Sequence, residues 1–288
     1  ARALPADTPM ETHLRSLPTI TESVIDRGTP GGGERISASY FRPYVMHGSI
    51  GPSCAVARFD GEQLRVWTHS QGVYPLRDTL TNLVGLPPEQ IQVTGVPGSG
   101  CYGHNGADDV AADAAVLAMN RPGAPIRVQW SRSDEHGWEP YGSAMIMDVS
   151  ATLADDGTIA DWQYDVWTDT HSTRPGGDPG NLLAGRQGAE AHDLSSRGFL
   201  AGGYRNAPPI YDLPNLRLTA HFFDGPLRVS ALRGLGAHAN VFAIESFMDE
   251  LAERAGTDPV AFRRQHLSDA RTRAVLDAVA ERAAEAEV

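Results

Sequence analysis

Residues 96–106 (Val-Pro-Gly-Ser-Gly-Cys-Tyr-Gly-His-Asn-Gly) constrain the fold of this chain more than any other stretch, because four of the eleven are glycine. An apolar, β-branched run, residues 91–96, leads into the stretch, and an alanine-rich helix pattern, residues 108–119, leads out of it. Glycine adopts positive φ without strain and lets a ligand approach the backbone closely. A helix N-terminus after such a loop offers unpaired N–H groups to an anion. The stretch therefore predicts a strand, a loop and a helix that together hold a cofactor phosphate or pterin.

The remaining patterns predict an α+β fold with mixed sheets, long hairpins and packed helices. Asp-Gly turns join two pairs of apolar runs, residues 54–59 with 64–68 and residues 144–153 with 159–167, and such a turn between apolar runs is a strong hairpin signal. Helix patterns with start or stop residues occupy residues 75–84, 108–119, 240–255, 259–267 and 269–284, and further strand patterns occupy residues 91–96, 126–130 and 216–223. Residues 170–207 are predicted to be irregular, and an irregular stretch of that length is usually functional or covers a partner.

Composition shifts divide the chain. Residues 1–36 are rich in Pro, Thr, Ser and Gly and predict a linker or an extended arm. Residues 37–288 predict one domain, with a division into two subdomains at about 37–140 and 141–288 as its finer form.

Bulk composition excludes several classes of function. The net charge of −12 argues against binding to nucleic acid or to an anionic membrane. No apolar run approaches the roughly 18 residues that span a bilayer. All 24 basic residues are arginine, which excludes a lysine Schiff base, and two cysteines are too few for a disulfide framework.

The glycine loop also admits a second interpretation, an NAD-binding Rossmann turn. Gly98, Gly100 and Gly103 match GxGxxG between a strand and a helix. Against it, the strand at residues 126–130 runs into Ser131 and has no acidic residue at its end. The loop also carries bulky side chains where close helix packing requires small ones, namely Cys101, Tyr102 and His104.

Direct metal ligation and thiol chemistry have weaker support. The ten histidines form no HExxH and no paired ligand spacing, so no protein-ligated metal is expected. Residues 134–136 (Asp-Glu-His) are interpreted as a solvated turn. Cys101 is interpreted as a small buried residue, with a nucleophile near a helix N-terminus as the alternative.

Four motifs, taken in order, resemble the molybdenum-cofactor-binding large subunit of the xanthine dehydrogenase/aldehyde oxidase family. Within that family the chain is most similar to the nicotinate dehydrogenase-like and isoquinoline oxidoreductase-like branch. The motifs are residues 47–52 (His-Gly-Ser-Ile-Gly-Pro), 67–71 (Trp-Thr-His-Ser-Gln), the glycine loop 98–104, and 231–236 (Ala-Leu-Arg-Gly-Leu-Gly) with 242–245 and 249–252. The resemblance covers about residues 37–284 and implies the first molybdopterin-binding domain alone.

The resemblance implies roles for these residues. Gln71 is similar to the glutamine whose amide bonds the apical oxo ligand of molybdenum, and Arg233 to an arginine near the metal and pterin. The metal is held by the pterin dithiolene, so no residue is expected to ligate it directly. The implied cofactor-binding residues are Gln71, Gly98, Gly100, Cys101, Tyr102, Gly103 and Arg233.

Departures from the family pattern concern the substrate. The implied substrate pocket contains Tyr102, Asn105 and Leu235, and Asn105 stands where xanthine enzymes have a purine-binding acid. Leu235 replaces a phenylalanine that stacks on the substrate, and Cys101 replaces the loop phenylalanine. An aldehyde or an N-heteroaromatic compound is therefore expected as substrate, rather than xanthine.

The resemblance also implies what lies outside this chain. The family's catalytic glutamate belongs to a later domain, so the catalytic residue here is unknown, and the chain is either a split subunit or a fragment. Expected partners are a second molybdopterin-binding domain or subunit and a [2Fe-2S] subunit that takes the electrons, since two cysteines cannot ligate a cluster. The cofactor is expected in its cytosine dinucleotide form, and the compartment is expected to be the cytoplasm, with the periplasm as alternative. The non-enzymatic alternative is an incomplete cofactor-domain relative that serves as a scaffold.

Overall fold

The computed structural model describes residues 4, 7–29, 32–186 and 202–286. The strands are β1 Thr19–Arg27, β2 Arg35–Arg42, β3 Cys54–Phe59, β4 Leu64–Thr68, β5 Ile91–Gly95, β6 Ile126–Gln129, β7 Tyr141–Gly142, β8 Met145–Leu153, β9 Ile159–Thr168, β10 Leu216–Phe223 and β11 Val229–Ser230. The helices are α1 Met10–Arg15, α2 Val73–Val84, α3 Ala107–Met119, α4 Arg132–Trp138, α5 Leu183–Arg186, α6 Ala237–Arg254, α7 Pro259–Gln265 and α8 Ala270–Ala286. Within the described part of the chain, every helix is too short or too polar to traverse a bilayer.

A five-stranded sheet in the order β1-β10-β9-β8-β2 forms the larger layer. Strands β8 and β9 are the predicted long hairpin, and their alternation buries one face against helix α6. Trp162 from β9 meets Phe247 from α6 edge to face, with ring centroids 5.4 Å apart. Burying aromatic rings of this size contributes strongly to the stability of a core, so this contact stabilises the packing of α6 on the sheet.

A four-stranded sheet in the order β5-β4-β3-β6 forms the second layer, with helices α2 and α3 packed on it. The predicted hairpin β3–β4 lies at its centre. Helix α3 buries six alanines against β3 and β6, and these small side chains let the helix approach the sheet closely. Strands β5 and β6 are the two edges of the sheet, and α3 packs over β3, β4 and β6, with the glycine loop directly before its first residue.

The N-terminal prediction needs correction. Residues 10–15 form helix α1 and residues 19–27 form β1, which pairs with β10 at the edge of the five-stranded sheet. Strand β2 pairs with β8 in the same sheet, so the strands do not divide near residue 140 as the subdomain boundaries suggest. The division that the structure does have is between two large cores, one packed against each of the two larger sheets, with a smaller third cluster around Leu14 and Phe223.

The interpretation of residues 134–136 as a solvated turn is wrong. They belong to α4, which begins with a capping box between Ser131 and Asp134. Glu135 is fully buried and accepts hydrogen bonds from the Ser53 backbone N–H and hydroxyl, both at 2.7 Å. The carboxylate therefore ties α4 to the start of β3.

The irregular stretch agrees with its prediction as far as it is described. Residues 170–186 contain only a short 3₁₀ turn and the four-residue helix α5, and residues 187–201 lie outside the described residues.

Candidate functional site

A cavity of about 500 Å³ opens where four distant segments of the chain meet. Its lining residues are Gln71, Tyr102, Gly103, Arg174, Ala231, Leu232, Arg233, Gly234 and Leu235. Five of the nine residues named from the sequence line it, namely Gln71, Tyr102, Gly103, Arg233 and Leu235. We call this cavity the pocket.

Backbone pairing builds the pocket wall. Gly103 forms a bridge with Leu232, the Arg233 N–H donates to the Tyr102 carbonyl at 2.8 Å, and the His104 N–H donates to the Ala231 carbonyl at 2.8 Å. A Cβ on Gly103 would lie 2.0 Å from that carbonyl oxygen, and Gly103 has φ +125°. Only glycine therefore permits this approach of the loop to residues 231–235.

Two non-glycine residues of the pocket adopt left-handed backbone conformations. Tyr102 has φ 54° and Leu235 has φ 53°. Such conformations in non-glycine residues cost on the order of 1–3 kcal/mol each and persist where surrounding contacts determine them. The Arg42 guanidinium supplies one such contact, because its Nη1 donates to the Leu235 carbonyl at 2.9 Å. Gly100 leaves room for the Tyr102 ring, because a Cβ there would lie 2.5 Å from it.

Gln71 reaches the loop from the end of β4. The Val96 N–H donates to the Thr68 carbonyl at 2.9 Å, which holds the start of the loop beside the residues after β4. The Gln71 Oε1 then accepts from the Gly103 N–H at 2.9 Å. Gln71 and the glycine loop, which the sequence analysis assigned separately to the cofactor, are thus in direct contact.

Four of the residues named from the sequence do not line the pocket, and three of them lie inside the loop. Gly98 packs on His69, where a Cβ would lie 2.4 Å from the histidine Cβ. The Cys101 thiol is buried and donates to the Asn105 Oδ1 at 3.2 Å. Burial also raises the pKa of the Cys101 thiol, which opposes the nucleophile alternative. These residues shape the loop from within, and Gly100 makes room for Tyr102.

Asn105 is fully buried instead of lining the substrate pocket that the resemblance implies. Its Oδ1 accepts from the Ala107 N–H at 3.0 Å, and its Nδ2 donates to the Gly100 carbonyl at 3.3 Å. The start of α3 is buried as well, with Asp108 4% and Asp109 0% exposed. Both carboxylates lie in the first turn of α3, where negative charge interacts favourably with the helix dipole, and anion binding at this helix N-terminus stays a prediction.

A series of polar groups in contact with one another lies behind the pocket. The Ser70 hydroxyl donates to Asp108 at 2.5 Å, the other Asp108 oxygen lies 3.5 Å from the His104 Nε2, and the His104 Nδ1 lies 2.8 Å from the Ser230 Oγ. The Thr173 N–H donates to the same Ser230 oxygen at 3.1 Å. Four members are direct sequence neighbours of a pocket residue: Ser70 beside Gln71, His104 beside Gly103, Thr173 beside Arg174, and Ser230 beside Ala231. These polar contacts therefore connect all four segments of the pocket to one another.

Burial determines the protonation states of His104 and Asp108. It lowers the pKa of His104 well below its ordinary value, so the imidazole is neutral at pH 7. Burial also raises the pKa of Asp108 to about 6, against the opposing hydrogen bond from Ser70. A carboxyl whose pKa is raised on folding stabilises the folded state at low pH, and that contribution is lost as pH rises through the folded pKa.

Asp108→Asn is therefore expected to change how stability depends on pH. Relative to the variant, the parent protein should lose about 3 kcal/mol of unfolding free energy between about pH 4 and pH 7, from the shift of roughly two pKa units. Urea unfolding of both proteins at several pH values measures the difference. Parallel stability curves would show that Asp108 titrates normally in the folded protein.

Arg174 was not identified from the sequence. Its Nη2 donates to the Gly103 carbonyl at 2.9 Å and to the Gln71 Oε1 at 3.3 Å. One feature of the sequence could have indicated it. Arg174 is the only Asp, Glu, Lys or Arg among residues 170–177, and these residues lie inside the stretch predicted to be irregular and functional. Among the described residues, no cluster of three or more His, Cys, Asp and Glu side chains could hold a metal ion.

A pocket of main-chain loops, one amide and two guanidinium groups is typical of a domain that binds an organic cofactor, not a bare metal ion. The family model described as "Molybdopterin cofactor-binding domain" matches residues 33–267, and the chain belongs to this family. The resemblance found in the motifs is confirmed, and the Rossmann alternative is not supported.

Two curated relatives and one solved structure place the chain further. It is 39% identical over 287 residues to a nicotinate dehydrogenase subunit of Pseudomonas putida, covering 97% of this chain and 23% of that protein. It is 31% identical over 219 residues to the aldehyde oxidoreductase of Megalodesulfovibrio gigas, covering 75% of this chain and 22% of that protein. The crystal structure of quinoline 2-oxidoreductase from Pseudomonas putida 86 superposes with a TM-score of 0.74 at 17% identity, over 93% of this chain and 34% of that chain.

These comparisons confirm the α+β fold and limit the conclusions about activity. The chain spans less than a quarter of the length of both curated relatives. The activity of either whole relative therefore involves residues beyond the part that this chain matches.

Proposed function

We propose that this chain is the molybdopterin-binding part of a molybdenum hydroxylase that oxidises an aldehyde or N-heteroaromatic substrate with water-derived oxygen. The observation that carries the proposal is the convergence of Gln71, the glycine loop and Arg233 in one pocket. These residues lie far apart in the sequence and were selected by their motifs alone, so their meeting in one pocket supports the proposal.

The chemistry of the pocket fits the cofactor. Its nine lining residues include two arginines and no carboxylate, although the chain carries a net charge of −12. The Arg233 side chain is exposed and makes no hydrogen bond to any other described residue, so its donors are free for an anionic ligand. Molybdopterin carries anionic phosphate and thiolate groups and supplies the two-electron chemistry of the bound metal.

Each residue then has a defined task. Gln71 and Arg233 donate hydrogen bonds to the polar groups of the cofactor, and the backbone of Tyr102 and Gly103 forms the adjoining wall. The Tyr102 ring, 37% exposed, and Leu235 give the cavity its apolar surface. A flat substrate would be held there by contact with those side chains.

Other parts of the enzyme complete the site. A second molybdopterin-binding domain or subunit supplies the catalytic glutamate, and a [2Fe-2S] partner accepts the electrons. The cofactor is proposed in its cytosine dinucleotide form. The cytoplasm is the proposed compartment, where Cys54 and Cys101 remain unpaired thiols.

Gln71→Ala and Arg233→Ala are expected to lower turnover far more than stability. Removing one preorganised donor costs about 10²–10³ in kcat, whereas substituting exposed side chains changes unfolding free energy by about 0.5 kcal/mol or less. Steady-state kinetics and urea unfolding of the intact enzyme measure both. Gln92→Ala and Arg121→Ala are matched exposed controls that should leave turnover unchanged. Unchanged turnover in the pocket variants would refute the roles of Gln71 and Arg233.

The direct test is the composition of the purified assembly. We expect the chain, isolated together with its partner chains, to contain molybdenum and to release a cytidine nucleotide on acid hydrolysis. An active complex without either would contradict the proposal. A metal-free preparation that still assembles with its partners would instead support the scaffold role.

A further inference from the structure

The orientation of the Gln71 amide is fixed by its neighbours. An amide has an oxygen that only accepts and a nitrogen that only donates, and the two are told apart by their partners. The Gly103 N–H at 2.9 Å and the Arg174 Nη2 at 3.3 Å are both donors, so both must face the Gln71 oxygen. The Gln71 NH₂ group is consequently the free end of the side chain at the pocket.

Arg174 binds two parts of the pocket with one guanidinium nitrogen. Its Nη2 also donates to the Gly103 carbonyl at 2.9 Å, so it contacts the glutamine side chain and the loop backbone together. A guanidinium is planar and always charged, which makes such contacts directional and independent of pH.

The backbone of Arg174 is held in place. The preceding residue, Thr173, donates its N–H to the Ser230 Oγ at 3.1 Å and its hydroxyl to the Val229 carbonyl at 2.6 Å. The Asn181 Nδ2 donates to the Arg174 carbonyl at 2.9 Å. The guanidinium therefore extends from a fixed base, although its own side chain is exposed.

We propose that Arg174 is a positioning residue that acts through Gln71. By holding the Gln71 oxygen against the loop, it keeps the NH₂ group directed at the ligand. This inference rests on the proposed function, because the ligand that receives the hydrogen bond is the cofactor. The competing role is a direct charge contact between Arg174 and an anionic substrate.

A double-mutant cycle separates the two roles. We compare the intact enzyme with Arg174→Met, Gln71→Ala and the double variant, at equal molybdenum content. Replacing an outer partner of a metal site typically costs about 10–100-fold, so Arg174→Met is expected to lower kcat about tenfold with little change in KM. In the Gln71→Ala background the same change should have almost no further effect, because the residue through which Arg174 acts is gone. Additive losses, or a raised KM without a change in kcat, would overturn the proposal.

Arg174→Lys distinguishes geometry from charge. Lysine retains the positive charge but lacks the planar guanidinium. We expect Arg174→Lys to keep most of the kcat loss of Arg174→Met. Full recovery by lysine would assign Arg174 to charge alone and contradict a positioning role.

A structural readout requires no turnover. In crystals of the cofactor-free enzyme, Gln71 should adopt one conformer in the parent protein and in the control Arg121→Met, and several conformers in Arg174→Met. A single unchanged Gln71 conformer in Arg174→Met would refute the inference. If the parent enzyme lacks molybdenum, the proposed function fails, and the crystallographic result still decides whether Arg174 orients Gln71.

Discussion

Gly103→Ala is expected to destabilise the protein by about 3–5 kcal/mol and to lower the molybdenum content of the intact enzyme. The added Cβ would lie 2.0 Å from the Ala231 carbonyl oxygen, which is backbone and cannot rotate away. The positive φ of +125° adds strain for any residue with a side chain. The loop must therefore separate from residues 231–235, and the N–H that binds Gln71 moves with it.

Gly61→Ala is the matched control for this experiment. Gly61 also has positive φ, +108°, but no atom lies within 4 Å of its Cβ position. It should show only the backbone cost, on the order of 1–3 kcal/mol, with normal molybdenum content. Urea unfolding and metal analysis of the intact enzyme measure both effects. Equal losses of unfolding free energy and molybdenum in the two variants would mean that the close backbone approach at Gly103 contributes nothing to either quantity.

The elements that the sequence predicts well have local causes. The hairpin β3–β4 arises from an Asp-Gly turn between apolar runs, and α3 arises from an alanine-rich pattern. Propensity and turn chemistry act over a few residues, so they can be recognised without knowledge of the fold.

The elements that were misinterpreted depend on distant contacts. Strand β1 is an exposed edge strand with an irregular burial pattern. It is recognised as a strand by its pairing with β10, almost 200 residues away. The burial of Glu135 depends on Ser53, 82 residues earlier. Composition alone assigns such residues to linkers and solvated turns, because polar residues usually occupy them.

The candidate site divides in the same way. Motifs selected Gln71, Tyr102, Gly103, Arg233 and Leu235, and these residues line the pocket. They could not distinguish Asn105, whose buried side chain accepts from the Ala107 N–H at the start of α3, from a residue that faces a substrate. The sequence marked Arg174 as a charged residue in the irregular stretch, but its contacts with Gly103 and Gln71 span 71 and 103 residues and could not be predicted.

The stretch that carries Arg174 is itself fastened by one buried ion pair. Asp109 at the start of α3 is 0% exposed and accepts two hydrogen bonds from the Arg228 Nη2, at 2.9 and 3.0 Å. It also accepts from the Leu183 N–H at 2.9 Å, and Arg228 donates further to the Asn181 carbonyl at 3.1 Å. The Asp109 carboxylate therefore links helix α3 to Leu183 directly, and through Arg228 to Asn181 and the residues before β11.

Asp109→Ala is expected to cost about 3–5 kcal/mol of unfolding free energy, because it leaves the Arg228 charge buried without its partner. The loss should extend to the pocket, since residues 181–183 would detach from α3 and release the backbone that supports Arg174. Urea unfolding measures the first effect and molybdenum content the second.

Asp113→Ala, one turn further along α3, provides a control, because burial raises the pKa of both carboxyls but Asp109 also accepts hydrogen bonds from Arg228, which oppose its shift. Burial raises the pKa of Asp113 to about 6, with the neighbouring Asp109 charge adding to the shift. Such a carboxylate opposes folding at pH 7, so its removal should leave stability unchanged or raise it. If Asp109→Ala were as mild as Asp113→Ala, the Asp109–Arg228 pair would not be what holds these segments together. The Arg174 backbone would then depend on Thr173 and Asn181 alone.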